Sequence, residues 1–347
     1  MSKALEQIPD VGGPAQALLT VRGLTKHFPL KGGFFGRSPG KVQAVAGVSF
    51  DLRKGETLGI VGESGCGKST TSRLIMALMQ PSAGEVIFDG QSVGSRGLTL
   101  KDYRRQVQMV FQDSYSSLNP RLSAEELIAF APRVHGLDKR KSLACAHELL
   151  AAVGLEPSQF GRRYPHELSG GQRQRINIAR ALALRPRLVI LDEPVSALDK
   201  SVQAQVLNLL VDLKAQYGLT YLFISHDLNV VQHMADRVMV MYLGRMVEVG
   251  PVEAIYAGAA HPYTRALLAS RPSMDPDRRC IEPPLSGDPP NPINPPSGCY
   301  FRTRCAHAEP ACGEQTPVLA DTGGGHLAAC LMTQPGSGHS RSLRVAA

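Results

Sequence analysis

Apolar and polar positions alternate along LTVRGLTKHFP (19–29) and VAGVSFDLR (45–53), the period of half-buried β-strands. The KGGFFGRSPGK between them is Gly-rich and basic and reads as a loop. TLGIV (57–61) is a compact apolar strand that stops at Gly62, and over 69–79 the spacing becomes helical. EVIF (85–88) and the DG after it read as a strand and turn. From Leu122 to Val153 the pattern is helical, with few turn signals before Gly154, and 173–184 forms another helix. LVILDEP (188–194) and TYLFISHD (220–227) read as buried strands on either side of a helix over 201–216. Strand–helix–strand alternation predicts an α/β fold, a parallel sheet with helices on its faces.

The pattern changes after Pro251. Residues 271–298, RPSMDPDRRCIEPPLSGDPPNPINPPSG, are rich in Pro and polar residues without periodicity and read as an extended arm. The first 18 residues and the tail from 334 to 347 are expected to be flexible. The expected division is therefore one large domain over 19–250, an appendage over 251–333, and disordered ends.

Composition narrows the function classes. With 43% hydrophobic and 20% charged residues, the 347-residue chain has the make-up of a soluble globular protein. A net charge of +8 suits nucleic acid, an anionic membrane surface or acidic ligands. No dense Lys/Arg stripe interleaved with aromatics is present, so nucleic acid is not an expected partner. No apolar run approaches the ~20 residues that span a bilayer. MSKALEQIPDVGGPAQ carries acids and Pro where a signal peptide needs an apolar stretch. A cytoplasmic protein that meets a membrane only through partners is expected.

Three motifs carry chemistry. GESGCGKST (62–70) fits G-x-x-x-x-G-K-[ST], with a strand before it and a helix after it. Gly62, Gly65 and Gly67 would let the backbone N–H groups of a loop that also holds Glu63, Ser64 and Cys66 curl around phosphates. Lys68 would reach the β- and γ-phosphates of ATP, Ser69 would bind Mg²⁺, and Thr70 would donate to a phosphate. LVILDEP ends in Asp192, which would hold Mg²⁺, and Glu193, which would polarise the attacking water. Between them, Ser169, Gly170, Gly171 and Gln172 open a helix, a second anion site.

LSGGQ ahead of a strand ending in DE resembles the ABC ATPases, and other elements match in order. Gln112, in MVFQD, resembles the Q-loop, a further Mg²⁺ ligand; Ser196 to Asp199 resembles the D-loop; His226 resembles the switch histidine. Phe28 is the candidate for stacking on adenine. The resemblance implies a P-loop ABC cassette with an N-terminal antiparallel β part and a helical subdomain at about 113–172. It also implies a catalytic set of Glu193, His226 and Gln112, and nucleotide sandwiched between two chains. DSYSSLNP (113–120), RYPHELSGGQRQR, EPVSALDKSVQAQVLNLL and HPYTRALL (261–268) narrow it to the dipeptide and oligopeptide importers. Within these the chain is most like the second ATP-binding subunit of the dipeptide permease type. The implied partners are two transmembrane permease subunits, a paralogous second ATPase (a homodimer being the alternative) and an external substrate-binding protein. The implied location is the cytoplasmic face of the membrane. Nickel and glutathione importers share this plan, so cargo does not follow from the motifs. Tyr115 and Leu118 are expected on the face that receives a permease helix, and His261-Pro262-Tyr263 as a docking turn.

The chain has seven Cys, five of them from Cys280 onward. Cys299, Cys305, Cys312 and Cys330 stand at spacings of x5, x6 and x17, which leaves a [4Fe–4S] cluster, a Zn²⁺ and metal-free thiols as readings. The absence of x2 spacings and the pattern of the related importers favour the cluster.

Overall fold

The computed structural model describes residues 10, 12–13, 16–30, 40–271 and 287–342. The Gly-rich loop at 31–39, most of the Pro-rich arm with Cys280, and most of the first 18 residues lie outside them.

In chain order the first elements are β1 (Leu19–Pro29), β2 (Lys41–Leu52), β3 (Thr57–Val61), α1 (Lys68–Ile75), β4 (Ala83–Phe88), β5 (Gln91–Ser92), α2 (Leu100–Gln106) and β6 (Val107–Val110). A helical stretch follows: α3 (Ala124–Val134), α4 (Lys139–Ala152), α5 (Pro157–Phe160) and α6 (Gly170–Leu182). Then come β7 (Leu188–Asp192), α7 (Lys200–Tyr217), β8 (Thr220–Ile224), α8 (Leu228–Met234), β9 (Arg237–Tyr242), β10 (Arg245–Pro251), α9 (Val252–Gly258) and α10 (Pro262–Ala269). The extension adds α11 (Ala311–Glu314), β11 (Ala320–Asp321) and β12 (Leu327–Ala328).

Two sheets result. The smaller is antiparallel, in the order β2-β1-β4-β5. The larger runs β11-β12-β10-β9-β3-β8-β7-β6, and its strands β9, β3, β8, β7 and β6 are parallel. The parallel strands are apolar at consecutive positions because both faces are covered. Leu58, Ile60, Ile190, Leu222 and Met239 point into a core shared with the antiparallel sheet. The alternate residues Val61, Leu191, Tyr221, Phe223 and Val240 point into a second core with the helices. Each such side chain, fully buried, stabilises the fold by about 1.5–3 kcal/mol.

The structure departs from the sequence reading in several places. The helical run from 122 to 153 is two helices, because Gly136 adopts φ 91° and Asp138 caps α4 by accepting from the Lys141 N–H. The helix expected over 69–79 stops at Ile75, before Ala77 turns to φ 53°. The hairpin of β9 and β10 was missed; Leu243 and Gly244, both at positive φ, make its tight turn. Leu118 is 4% exposed and packs in the helical core, so it cannot lie on a docking face; Tyr115 is 56% exposed. The tail expected to be disordered from 334 is held as far as 342: Ser337 and His339 are buried, and Ser340 donates to Glu309. Short polar side chains that answer nearby backbone groups do for it what apolar periodicity does elsewhere.

The extension continues the main sheet. β12 pairs with β10 across Glu248↔Ala328. Glu248 is fully buried and accepts from the Ala260 and His261 N–H groups, with His326 Nε2 2.6 Å from its Oε1. Glu248→Leu leaves these groups without an acceptor, at a cost of about 3 kcal/mol. The expected outcome is a lower urea midpoint at unchanged slope, with Glu248→Gln falling between the two.

Candidate functional site

The loop from Gly62 to Gly67 joins β3 to α1 at the end of the parallel strands. Gly62 (φ 150°) and Gly67 (φ 106°) use backbone space that a side chain would fill. A Cβ at Gly62 would lie 2.2 Å from the Met241 carbonyl oxygen, and one at Gly67 would lie 2.3 Å from that of Ala44. Helix α1 starts without a side-chain cap, which leaves its first N–H groups available to an anion. Lys68 is 5% exposed, and its Nζ donates to the carbonyls of Gly62 (2.7 Å) and Glu63 (3.0 Å).

Strand β7 delivers the acids. Asp192 is 3% exposed at the end of an apolar strand and accepts from the Ser69 hydroxyl at 3.1 Å. Burial pushes its carboxyl above the usual range, the Ser69 bond opposes this, and the charge of Glu193 adds to it. Glu193 sits at φ 49°, a left-handed conformation that non-glycine residues rarely adopt, and its N–H donates to Ile224. Its Oε2 accepts from Gln112 Nε2 at 3.0 Å and lies 3.1 Å from His226 Nδ1. Ser64, Gly65, Gly67, Lys68, Ser69 and Thr70 share one cavity of about 470 Å³ with Gln112, Glu193 and His226. The Ser69 hydroxyl, the Asp192 carboxylate and the Gln112 amide form a set of hard oxygen donors, which fits Mg²⁺.

Several expected residues lie elsewhere. Phe28 pairs across from Val42, a wall residue, but does not itself line the cavity. Glu63 turns its carboxylate to Arg304 (2.7 and 3.0 Å). Cys66 is buried, and burial raises its thiol pKa, which disfavours the thiolate. Ser169, Gly170, Gly171 and Gln172 open α6 outside the cavity. There the Ser169 hydroxyl accepts from the Gln172 N–H and the Gln172 side chain accepts from the Ser169 N–H. Asp199 begins α7 beside them; Leu198 and Val202 pack on Gly170 and Gly171.

Sequence reasoning missed four contributors. Asn177 and Arg180 of α6 tie down the segment after Gln112: Asn177 donates to the Ser114 carbonyl and accepts from Ser117, and Arg180 donates to the Ser117 carbonyl. Tyr263 accepts from the Glu63 N–H at 2.9 Å. Pro292 of the arm lines the cavity, and its carbonyl accepts from the Gln43 N–H. No local spacing signals such contacts, because the partners are far apart in the chain. The helical period of α6 was the one available hint, since it puts a polar Asn177 on the buried face.

The C-terminal cysteines lie near enough that, beyond burial, the charges of Cys299, Cys305 and Cys312 raise the Cys330 thiol. The Cys299 N–H donates to the Cys312 carbonyl at 2.8 Å, and burial pushes the thiols of Cys299, Cys305 and Cys330 up, Cys330 to about 11. Yet no group of three or more His, Cys, Asp or Glu among the described residues is arranged to hold a metal ion. As placed, these thiols do not fit a cluster or a Zn²⁺.

Comparison with known proteins agrees with this geometry. Residues 45–196 match the family model described as ABC transporter, and residues 247–312 match that of the oligopeptide/dipeptide transporter C-terminal region. The chain is 51% identical to the probable peptide ABC transporter ATP-binding protein y4tS of Sinorhizobium fredii, over 92% of this chain and 91% of that protein. It is 50% identical to the oligopeptide transport ATP-binding protein AppF of Bacillus subtilis, over 91% and 97%. The ATP-binding cassette MJ0796, solved as a dimer after hydrolysis with ADP and Pi, superposes with a TM-score of 0.58 at 29% identity, over 67% of this chain and 98% of that one.

Asp192 gives the site a testable cost. A carboxyl whose folded pKa is raised destabilises the fold when ionised; the penalty is full above the folded pKa and vanishes below the unfolded value of 3.8. Asp192→Asn keeps an acceptor for Ser69 and removes the buried charge. The nucleotide-free variant is expected to melt above the wild type at neutral pH, and the gap to close on acidification.

Proposed function

We infer the function from a plain premise: this chain belongs to the ABC transporter family of ATP-binding subunits. Its fold is the ABC ATPase cassette, and proteins of the family bind ATP with Mg²⁺. The chain is the ATP-hydrolysing subunit of a peptide importer of the oligopeptide/dipeptide kind. One observation carries the chemistry: four separate chain segments bring Lys68, Ser69, Gln112, Glu193 and His226 to one cavity wall.

In this reading Lys68 and the first turn of α1 grip the β- and γ-phosphates. Mg²⁺, held by Ser69, Asp192 and Gln112, would neutralise charge on the β- and γ-oxygens. Glu193 polarises the attacking water, and His226, within reach of Glu193, contacts the γ-phosphate and orients that water. Positioning and electrostatics supply most of the acceleration. Because Ser169–Gly171 lie outside their own chain's cavity, a second cassette supplies that helix start to cap the γ-phosphate, with Asp199 at the seam. The solved dimer of MJ0796 supports such pairing. The proposed partner is a paralogous ATPase, a homodimer being the alternative that pull-down of the assembled complex would reveal. Two permease subunits and an external binding protein complete the assembly, with this subunit peripheral on the cytoplasmic face. Among the described residues no helix is long and apolar enough to cross a membrane. The working division is residues 19–250 as ATPase, 113–172 as its helical subdomain, and 251–333 as extension.

The finer cofactor proposal is a [4Fe–4S] cluster on Cys299, Cys305, Cys312 and Cys330, and its support is their spacing in the sequence. It requires them to draw together from the arrangement seen here. Stoichiometric iron and sulfide in anaerobically purified protein would support it, and protein without them would sink it.

Two outcomes test the nucleotide reading. Glu193→Gln should lower turnover by about 10²-fold or more while ATP stays bound and the dimer closed; fast hydrolysis by that variant removes Glu193 from its role. Phe28→Ala should weaken ATP binding by about tenfold if the ring stacks on adenine, measured by titration with a fluorescent ATP analogue.

A further inference from the structure

We propose that the Cys-rich extension is a working part of the nucleotide site, with Arg304 as a positioning residue for the phosphate-binding loop. The proposal rests on the reading of that loop as the ATP site.

Glu63 is the second residue of the loop. Arg304 holds its carboxylate with two parallel bonds, Nη1 to Oε2 at 2.7 Å and Nη2 to Oε1 at 3.0 Å, across 241 positions of sequence. A bidentate guanidinium–carboxylate pair fixes direction as well as distance. The Arg304 side chain is 5% exposed, so the pair is shielded from water on its cationic side. The backbone N–H of Glu63 donates to the hydroxyl of the fully buried Tyr263. Its carbonyl accepts from Lys68. The residue is thus anchored from the extension by its side chain, from α10 by its N–H, and from the loop's own lysine by its C=O.

The anchor is stiff. The rings of Tyr242, Tyr263 and Phe301 pack with centroids 4.6 to 5.4 Å apart, joining the end of β9 to α10 and to the extension. Arg304 stands three residues after Phe301 in the same short turn, and its N–H donates to the Phe301 carbonyl. The extension lines the cavity itself at Pro292.

Two consequences follow for ATP. A free Glu63 carboxylate beside Ser64 would repel a triphosphate; Arg304 neutralises it and turns it away. The Gly-rich loop, left to itself, would sample many backbone states; the clamp holds its first turn, which lowers the ordering cost of binding. Reciprocity then requires bound ATP to tighten the docking of the extension.

The experiment uses the full chain and a fluorescent ATP analogue with Mg²⁺. Lys68→Ala should abolish binding; if wild type does not bind, or Lys68→Ala binds as well as wild type, the site reading fails and carries this inference down with it. With that reading intact, Arg304→Met should raise Kd by about tenfold in protein that still melts cooperatively. Arg304→Lys should recover part of the loss. Glu63→Gln combined with Arg304→Met should bind better than Arg304→Met alone, because the unpaired carboxylate is gone. A Kd within about twofold of wild type for Arg304→Met makes the pair a mere staple and overturns the proposal. Should Arg304→Met fail to fold, the wild type decides: a non-hydrolysable ATP analogue should slow thiol labelling at the half-buried Cys299 and Cys305, and unchanged labelling overturns the proposal.

Discussion

The Ser69 hydroxyl donating to the buried Asp192 carboxylate is the contact around which the rest of the site is arranged. Ser69 lies in the first turn of α1 and Asp192 at the last position of β7, so one bond fixes the phosphate loop against the end of the neighbouring parallel strands. The arrangement is costly in itself. A carboxylate is desolvated, the next residue is held at positive φ, and the glycines before α1 adopt conformations that a Cβ would forbid. These costs are offset by two cores that sandwich the parallel strands. A rigid sheet lets its loops hold groups in arrangements they would not adopt alone.

What could be read from sequence is what local geometry dictates. The glycine spacing, the acids at the end of an apolar strand and the Ser-Gly-Gly helix start are each complete within a few residues. The pattern of apolar runs likewise gives the parallel strands directly. Three classes of feature escaped. A turn inside a helical run depends on one residue, Gly136, in a left-handed state that periodicity does not register. The orientation of Leu118 depends on which way an irregular segment folds back, and it folds inward. Contacts such as Glu63–Arg304 join residues whose separation in sequence carries no signal.

The proposed pairing of two cassettes rests on where the helix start of α6 lies. Leu198 and Val202 pack against its two glycines, and the Ser169–Gln172 capping box answers the N–H groups of Ser169 and Gln172. The start therefore keeps a positive dipole end for an anion its own chain does not bring to it. Further along the same helix, Asn177 and Arg180 grip the segment that follows Gln112. In the proposed pairing, helix α6 links the side offered to a second cassette to the segment that follows Gln112, the residue that bonds Glu193. Movement at either end of this rigid element must be felt at the other.

The extension belongs in the same mechanical account. A separate appendage would meet the cassette through a small polar seam, free to move. Here β12 extends the main sheet, buried Glu248 gathers donors from two segments, and three aromatic rings interlock beside the phosphate loop. Such packing permits few intermediate states, so a change in the four-cysteine region would shift the turn that carries Arg304 rather than dissipate. That turn ends on Glu63, one residue from the glycine that opens the phosphate loop. The cysteine-bearing turn and the glycine-rich loop therefore share one short, stiff path, far apart in sequence but continuous in space.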